Sequence, residues 1–260
     1  MDLDTRKIGV SALTLKWIAI VTMAIDHTGV VCYKWLGWSE SYLALRHIGR
    51  IAFPIFAFLL VEAFRHTRNR WKYFRNLLIF AVVSEIPFDL AIENWSTRND
   101  TQNIFWTLSI GLLVLISLEE LWTRFERGPV SRCLRLPLSL IPLAAGLFLA
   151  QLLRTDYAAW GVLLIVLVYA GEQAAARRSV GQRARNIGAV CGALLWMALY
   201  DYSHGWIIEL YGAASAIPIL LYNGERGRYR LSKWFFYGFY PAHLLILYAL
   251  QDTLFQRLLT

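Results

Sequence analysis

Residues Tyr42–Arg75 read YLALRHIGRIAFPIFAFLLVEAFRHTRNRWKYFR. The first 23 positions, Tyr42–Phe64, are apolar apart from a few charged or imidazole side chains. At about 1.5 Å per residue such a run is long enough to cross a hydrocarbon core of about 30 Å. It stops at Arg65, Arg68, Arg70, Lys72 and Arg75. An apolar helix that ends in a basic cluster reads as a transmembrane span whose end lies at the cytoplasmic face.

The same pattern repeats along the chain. Eight further apolar stretches are long enough to be spans: Leu13–Leu36, Phe74–Ile92, Ile104–Trp122, Leu136–Leu153, Tyr157–Gln173, Ile187–Tyr202, Trp206–Tyr222 and Trp234–Leu250. In lipid each backbone polar group must be satisfied within its own segment, so these are helices. Alternate connections carry Arg124, Arg127, Arg132 and Arg135; then Arg177, Arg178, Arg183 and Arg185; then Arg226, Arg228, Arg230 and Lys233. With the first basic cluster and Arg6, Lys7 and Lys16, that is 20 of the 26 Lys and Arg residues. The other side and the outer halves keep Lys34, Arg46, Arg50, Arg98, Arg154 and Arg257. The expectation is an all-α, polytopic transmembrane bundle of about nine spans, a single domain over residues 1–260, with the N-terminus cytoplasmic and the C-terminus extracytoplasmic.

Composition agrees. Of 260 residues, 57% are hydrophobic and 17% charged, against an apolar share of about 45–50% in soluble domains. Disorder and a disulfide scaffold are excluded, and the net charge of +8 is confined to the connections, which excludes a basic nucleic-acid module. Cys32, Cys133 and Cys191 are far apart and odd in number, so no disulfide framework or zinc knuckle is implied and no metal is expected.

Within the spans lie Asp26, His27, Arg50, Glu62, Glu85, Asp89, Asp201, Glu209 and His243. Each charge costs about 2.5–3.5 kcal/mol at a helix centre, so these groups must face one another or a wet cavity, and they are candidates for function. Lys16 and His27 are 11 residues apart, about 20° past three full turns and about 16 Å along the axis, so they share one stripe of the first helix. Lys16 by itself reads first as a snorkelling headgroup contact. Glu85 and Asp89 share a face at i, i+4; Arg50 is the expected cation between them, either in a functional site or in a structural knot joining the second and third spans. Glu62 and His66 stack likewise, where Arg65-His66-Thr67-Arg68 either grips phosphates or is an ordinary positive-inside cluster.

Five ordered motifs carry a resemblance: IDHTG (Ile25–Gly29), GRIAFPIFAFLLVEAFRHTRNRWKY (Gly49–Tyr73), SEIPFDLA (Ser84–Ala91), QNIFWTL (Gln102–Leu108) and FYPAHLL (Phe239–Leu245). They are similar to the TraX family, whose namesake acetylates the N-terminal amine of a conjugative pilin. That family in turn resembles the large membrane acyltransferase superfamily. The O-acetylase branch of that superfamily has an Arg-x10-His spacing, which Lys16 and His27 reproduce with Lys for Arg. The resemblance implies acetyl transfer across a bacterial cytoplasmic (inner) membrane, from acetyl-CoA bound at the inner face to an acceptor amine on a protein N-terminus or a sugar. No nucleic acid is implied. Lys16, Arg65, His66, Thr67 and Arg68 are then expected around the coenzyme, with Asn103 and Tyr240 further along it. His27 is the expected general base, oriented by Glu85 or Asp89 rather than by its neighbour Asp26. Asn103, Tyr240, His243 and Arg50 are candidate oxyanion donors. A proton-coupled secondary transporter is the rival reading of the same intramembrane charges, although the sequence has no inverted repeat. A third reading, a purely structural assembly partner, has no need of so many buried ionisable groups.

Overall fold

The computed structural model describes residues 9–36, 39–93, 101–127, 134–178, 181–205, 207–228 and 233–259. Arg6, Lys7, Arg98, Arg132, Cys133, Trp206 and Arg230, which entered the sequence reading, lie outside them. Among the described residues the chain is helical: α1 (Ala12–Leu36), α2 (Ser39–Gly49), α3 (Ala52–His66), α4 (Arg70–Phe88), α5 (Ile104–Arg127), α6 (Arg135–Leu152), α7 (Ala158–Arg178), α8 (Gln182–His204), α9 (Ala216–Leu220) and α10 (Lys233–Leu259). A π-helical turn, Asp89–Glu93, extends α4, and a 3₁₀ helix, Glu209–Ser215, leads into α9.

Four segments are both long and apolar enough to cross a membrane: Ala12–Tyr33, Ser41–His66, Ile104–Phe125 and Ala158–Arg178. Their character, and an outer surface rich in bare aliphatic side chains, are those of a membrane protein. On α4, Leu77, Ala81, Ser84 and Phe88 face inward at helical spacing while Val82 and Ile86 are 60% and 65% exposed. The outward face is thus apolar, the reverse of a soluble amphipathic helix. The remaining expected spans fall short of this measure. Most altered is the eighth, Trp206–Tyr222. Its seven 3₁₀ residues and the five of α9 reach about 22 Å, where an α-helix of the same length reaches about 18 Å. The second span is also not one uninterrupted helix, since the chain turns at Arg50-Ile51 between α2 and α3.

Polar bonds gather at the two ends of the bundle. At the basic end the N-terminal strap is tied to the segment before α10: Val10 N–H donates to Leu221 O (2.8 Å), Asn223 N–H to Val10 O (3.0 Å) and Ala12 N–H to Glu225 O (2.8 Å). Ser11 caps α1 by accepting from Thr14 N–H at 3.2 Å. At the far end, Gln102 and Thr155 pair through backbone bonds from Gln102 N–H to Arg154 O (2.9 Å) and from Asp156 N–H to Gln102 O (2.8 Å).

The axis of the bundle is α3, with 11 of its 15 residues buried. A helix apolar on every side belongs inside, and α3 packs on α1, α5 and α7. The tightest pair is α7 with α8. A Cβ on Gly188 would stand 2.1 Å from Gly171 O, and one on Gly192 2.3 Å from Leu167 O. Gly188 and Gly192 are four apart, the small-xxx-small spacing that lets membrane helices approach closely.

Candidate functional site

A cavity of about 880 Å³ opens between α1, α3, α4, α5 and α10, within the usual range for small-molecule sites. Its rim is at the basic end. There α3 stops at an extended Thr67, and α4 restarts with Asn69 accepting from Lys72 N–H at 2.8 Å. This turn sets His66, Thr67 and Lys72 on the rim, with Arg226 joining from the segment before α10. Lys16 lines the wall one turn inside, its ammonium 5.3 Å from the Phe236 ring centre. The middle is apolar, built from Ile20, Leu59, Leu108 and Phe236, and the deep end is Met23, Phe56, Ile104, Phe105 and Tyr240.

Glu62 organises the rim. Its Oε1 accepts from His66 Nε2–H and from the Tyr222 hydroxyl, each at 3.1 Å, and its Oε2 accepts from Arg65 Nη1 at 2.8 Å. Arg65 also reaches Glu172 on α7 at 3.2 Å. Its guanidinium is therefore committed to two carboxylates, and neither Arg65 nor the exposed Arg68 lines the cavity. Lys72 and Arg226, which the sequence offers only as topology charges, do line it.

Beyond the deep end, α1 and α10 bring two imidazoles together. His243 Nδ1 lies 2.9 Å from Phe239 O, and His243 Nε2 lies 2.7 Å from His27 Nδ1. A carbonyl only accepts, so His243 donates from Nδ1, and in the neutral ring its Nε2 is then an acceptor. His27 must therefore donate from Nδ1, which leaves its Nε2 unprotonated. The rings lie within 9° of parallel, and Tyr240 packs edge-on to both. The partner that orients His27 is thus His243, in place of the carboxylate expected from α4.

Glu85 has other work. It accepts from Trp106 Nε1–H at 2.9 Å and from Asn103 Nδ2, which also donates to Ala81 O at 2.7 Å. Asn103 Oδ1 in turn accepts from Phe105 N–H at 3.0 Å, so this knot fastens α4 to the start of α5. Asp89 opens the π-helical turn and is half-buried.

Arg50 differs from its expected pairing too. It donates to Asp26 Oδ1 (3.1 Å), to Glu209 Oε1 (2.7 Å) and to the Tyr157 hydroxyl (2.6 Å), and does not bridge Glu85 and Asp89. Arg46 pairs with the other oxygen of Asp26. Asp201 accepts from Glu209 and Leu210 N–H at 3.0 and 2.9 Å, holding the start of the 3₁₀ helix against α8. Gly49 admits Asp26, since a Cβ there would lie 2.0 Å from Asp26 Oδ1. Tyr157 is held with φ of +60°, between positive-φ Arg154 and Ala158, a strained loop of the kind found where function fixes the backbone. In the same loop, burial pushes the Asp156 carboxyl up to about 6, against the pull of Arg50 and Arg46. No group of three or more His, Cys, Asp or Glu among the described residues is placed to hold a metal.

The sequence-predicted residues therefore divide. Lys16, His66, Thr67 and Tyr240 share the cavity. His27 and His243 form the pair beyond it, while Asp26 and Arg50 lie in the ionic cluster at the far end.

The family model described as TraX protein matches residues 11–251. The chain belongs to the TraX family. A relative from Dichelobacter nodosus, named as a probable fimbrial assembly protein FimC of serogroup H1, is 29% identical over 259 residues, covering 94% of this chain and 96% of its own length. No solved structure matches. Within this TraX chain all five motifs fall on described residues and carry the groups above: IDHTG His27, the RHT run the rim, SEIPFDLA and QNIFWTL the two halves of the α4–α5 knot, and FYPAHLL both Tyr240 and His243.

Proposed function

We propose that this TraX chain is a membrane-embedded N-acetyltransferase. It takes acetyl from acetyl-CoA at the basic, cytoplasmic end and passes it to an acceptor amine reached from the extracytoplasmic side. What carries the reading is one observation: a cavity with a cationic rim runs to Tyr240, whose ring stands edge-on to the His27–His243 pair. The fit to coenzyme A is chemical. Its phosphates suit Lys72, Arg226, His66 and Lys16, and its pantetheine arm suits the apolar wall, which along α1 from Ala12 to Met23 is about 16 Å long. Arg65 and Arg68 then serve only to shape and charge the rim.

In the reaction the neutral acceptor nitrogen attacks the thioester carbon. His27 Nε2 takes the nitrogen's proton, the N–C bond forms, the C–S bond breaks, and the leaving thiolate is reprotonated from His27. The products are an acetamide and free coenzyme A. A fimbrial assembly name on a relative that matches nearly end to end favours a protein N-terminus over a sugar as the acceptor. The cytoplasmic N-terminus, the shorter helices as further crossings and the bacterial inner membrane belong to the same proposal.

The test is transfer of labelled acetyl from acetyl-CoA by purified protein in lipid nanodiscs, with an envelope fraction as acceptor. Labelled amide should form with the wild type and be lost in His27→Ala, while coenzyme A binding persists. Solute uptake into proteoliposomes in the absence of coenzyme A, with no acetylated product, would overturn it in favour of a carrier.

A further inference from the structure

We infer that the Tyr240 hydroxyl is the hydrogen-bond donor that receives the thioester carbonyl and holds its oxyanion during acetyl transfer. This rests on the acetyltransferase reading and assigns a role in it. An oxyanion donor must carry an uncommitted proton, be fixed in place and lie where the carbonyl arrives. Three of the four donors offered by the sequence fail the first or the third condition. Asn103 Nδ2 donates to Ala81 O and to Glu85. Arg50 has both terminal nitrogens bound to Asp26, Glu209 and Tyr157, and although its Nε–H is unpaired among the described residues it does not line the cavity, so it fails the third condition. His243 gives its single proton to Phe239 O and presents a lone pair to His27.

Tyr240 meets all three conditions. It is 3% exposed, and its hydroxyl makes no hydrogen bond among the described residues. Burying a hydroxyl without a partner is costly, and an arriving acceptor oxygen would supply the missing bond. The Ile104 backbone amide faces the phenol oxygen outside hydrogen-bond geometry; being itself a donor, it leaves the hydroxyl proton available. The ring is fixed edge-on between Phe105, His27 and His243, at centroid distances of 5.3, 5.8 and 5.7 Å. Tyr240 also lines the deep end of the cavity, so a thioester that reaches it stops beside the imidazole pair.

In the step itself, the carbonyl π pair moves onto oxygen as the nitrogen–carbon bond forms. Tyr240 O–H donates to that oxygen without losing its proton. The pair returns as the carbon–sulfur bond breaks, and the amine proton has gone to His27.

The experiment has two arms. Tyr240→Phe removes one unpartnered oxygen, and kcat should fall about 10²–10³-fold with coenzyme A affinity and the pH profile of kcat unchanged. In the second arm, acetyl-CoA labelled with 13C at the carbonyl is bound to His27→Ala protein that retains Tyr240, and its infrared carbonyl band should move to lower frequency than in an aprotic solvent. That shift should vanish in the His27→Ala, Tyr240→Phe double variant. The second arm needs no turnover, and its shift is read first in protein that keeps Tyr240. If the wild type transfers acetyl but Tyr240→Phe keeps its kcat, or the bound carbonyl shows no downshift, the assignment to Tyr240 is overturned and the enzyme reading stands. If the wild type transfers nothing, it is the enzyme reading that falls.

Discussion

His27 on α1 donates from Nδ1 to Nε2 of His243 on α10 across 2.7 Å, although the two are 216 residues apart in sequence. The bond fixes the tautomer of both rings because His243 has already given its proton to Phe239 O. A histidine here does the orienting that a carboxylate does in a triad, without adding a negative charge in the bundle.

His243→Ala is therefore expected to lower acetyl transfer about 10²-fold or more at saturating acetyl-CoA, with binding of coenzyme A retained. His27→Ala should cost at least as much. Single-turnover transfer beside a calorimetric binding titration separates the two quantities. Full activity in His243→Ala would show that His27 needs no partner.

Lys72 and Arg226 stand on the cavity rim and Arg68 does not. Charge-assisted hydrogen bonds contribute about 1.5–3 kcal/mol, so Lys72→Ala or Arg226→Ala should each raise the KM for acetyl-CoA by about tenfold or more with little change in kcat. Arg68→Ala should leave KM within about twofold, since an exposed cation off the rim contributes little. Initial-rate kinetics at two salt concentrations check this, because screening narrows the gap.

Arg50 holds two buried carboxylates, Asp26 and Glu209. Arg50→Met takes the ion pair from Glu209 and leaves Asp26 with Arg46 alone, and breaking such a buried pair costs about 3–5 kcal/mol. A strong fall in thermal midpoint and in folded yield is expected, and pairing Arg50→Met with Glu209→Leu should recover part of it. No recovery in the double variant would show that the two side chains act independently.

The apolar runs and their alternating arginine clusters made the helical membrane bundle legible, because burial in lipid imposes length and composition on each helix separately. The Lys16–His27 stripe was legible for the same reason: Lys16, Ile20 and Met23 do line one wall, with His27 one turn further. Partnership between helices was not. Arg50 and Glu209 are 159 residues apart, and periodicity tells which face a residue occupies, not which helix it meets. Lys72 and Arg226 look in sequence like any other topology charge. The 3₁₀ stretch at Glu209–Ser215 brings Gly212 against Arg50 O, where a Cβ would stand at 2.8 Å, and no local signal announces it. Gly188 and Gly192 did carry a readable spacing, one that marks close helix packing rather than chemistry.

Gly188 accordingly tests the fold apart from the site. With Gly171 O only 2.1 Å from where its Cβ would be, Gly188→Leu must push α8 off α7, costing about 1–3 kcal/mol or more. Gly181 precedes α8 in extended backbone with nothing within 4 Å, so Gly181→Ala should be neutral. Thermal unfolding in detergent compares them, and equal midpoints would mean that the two helices pack more loosely than this geometry requires.

Asp156 gives the bundle a pH dependence of definite sign. Burial raises its carboxyl from 3.8 to about 6, so between those values the folded chain keeps a proton that the unfolded chain has lost. Stability must then fall as pH rises through that window, and above about 6 the full penalty of an ionised, buried carboxylate is present. Asp156→Asn cannot ionise and leaves the backbone bond to Gln102 in place. It should flatten the contribution across the window and raise the thermal midpoint above pH 6, where the wild type carries the charge. Midpoints on both sides of pH 6 decide it: a wild-type curve that instead rises with pH, with the rise lost in Asp156→Asn, would mean that Arg50 and Arg46 outweigh burial at this position.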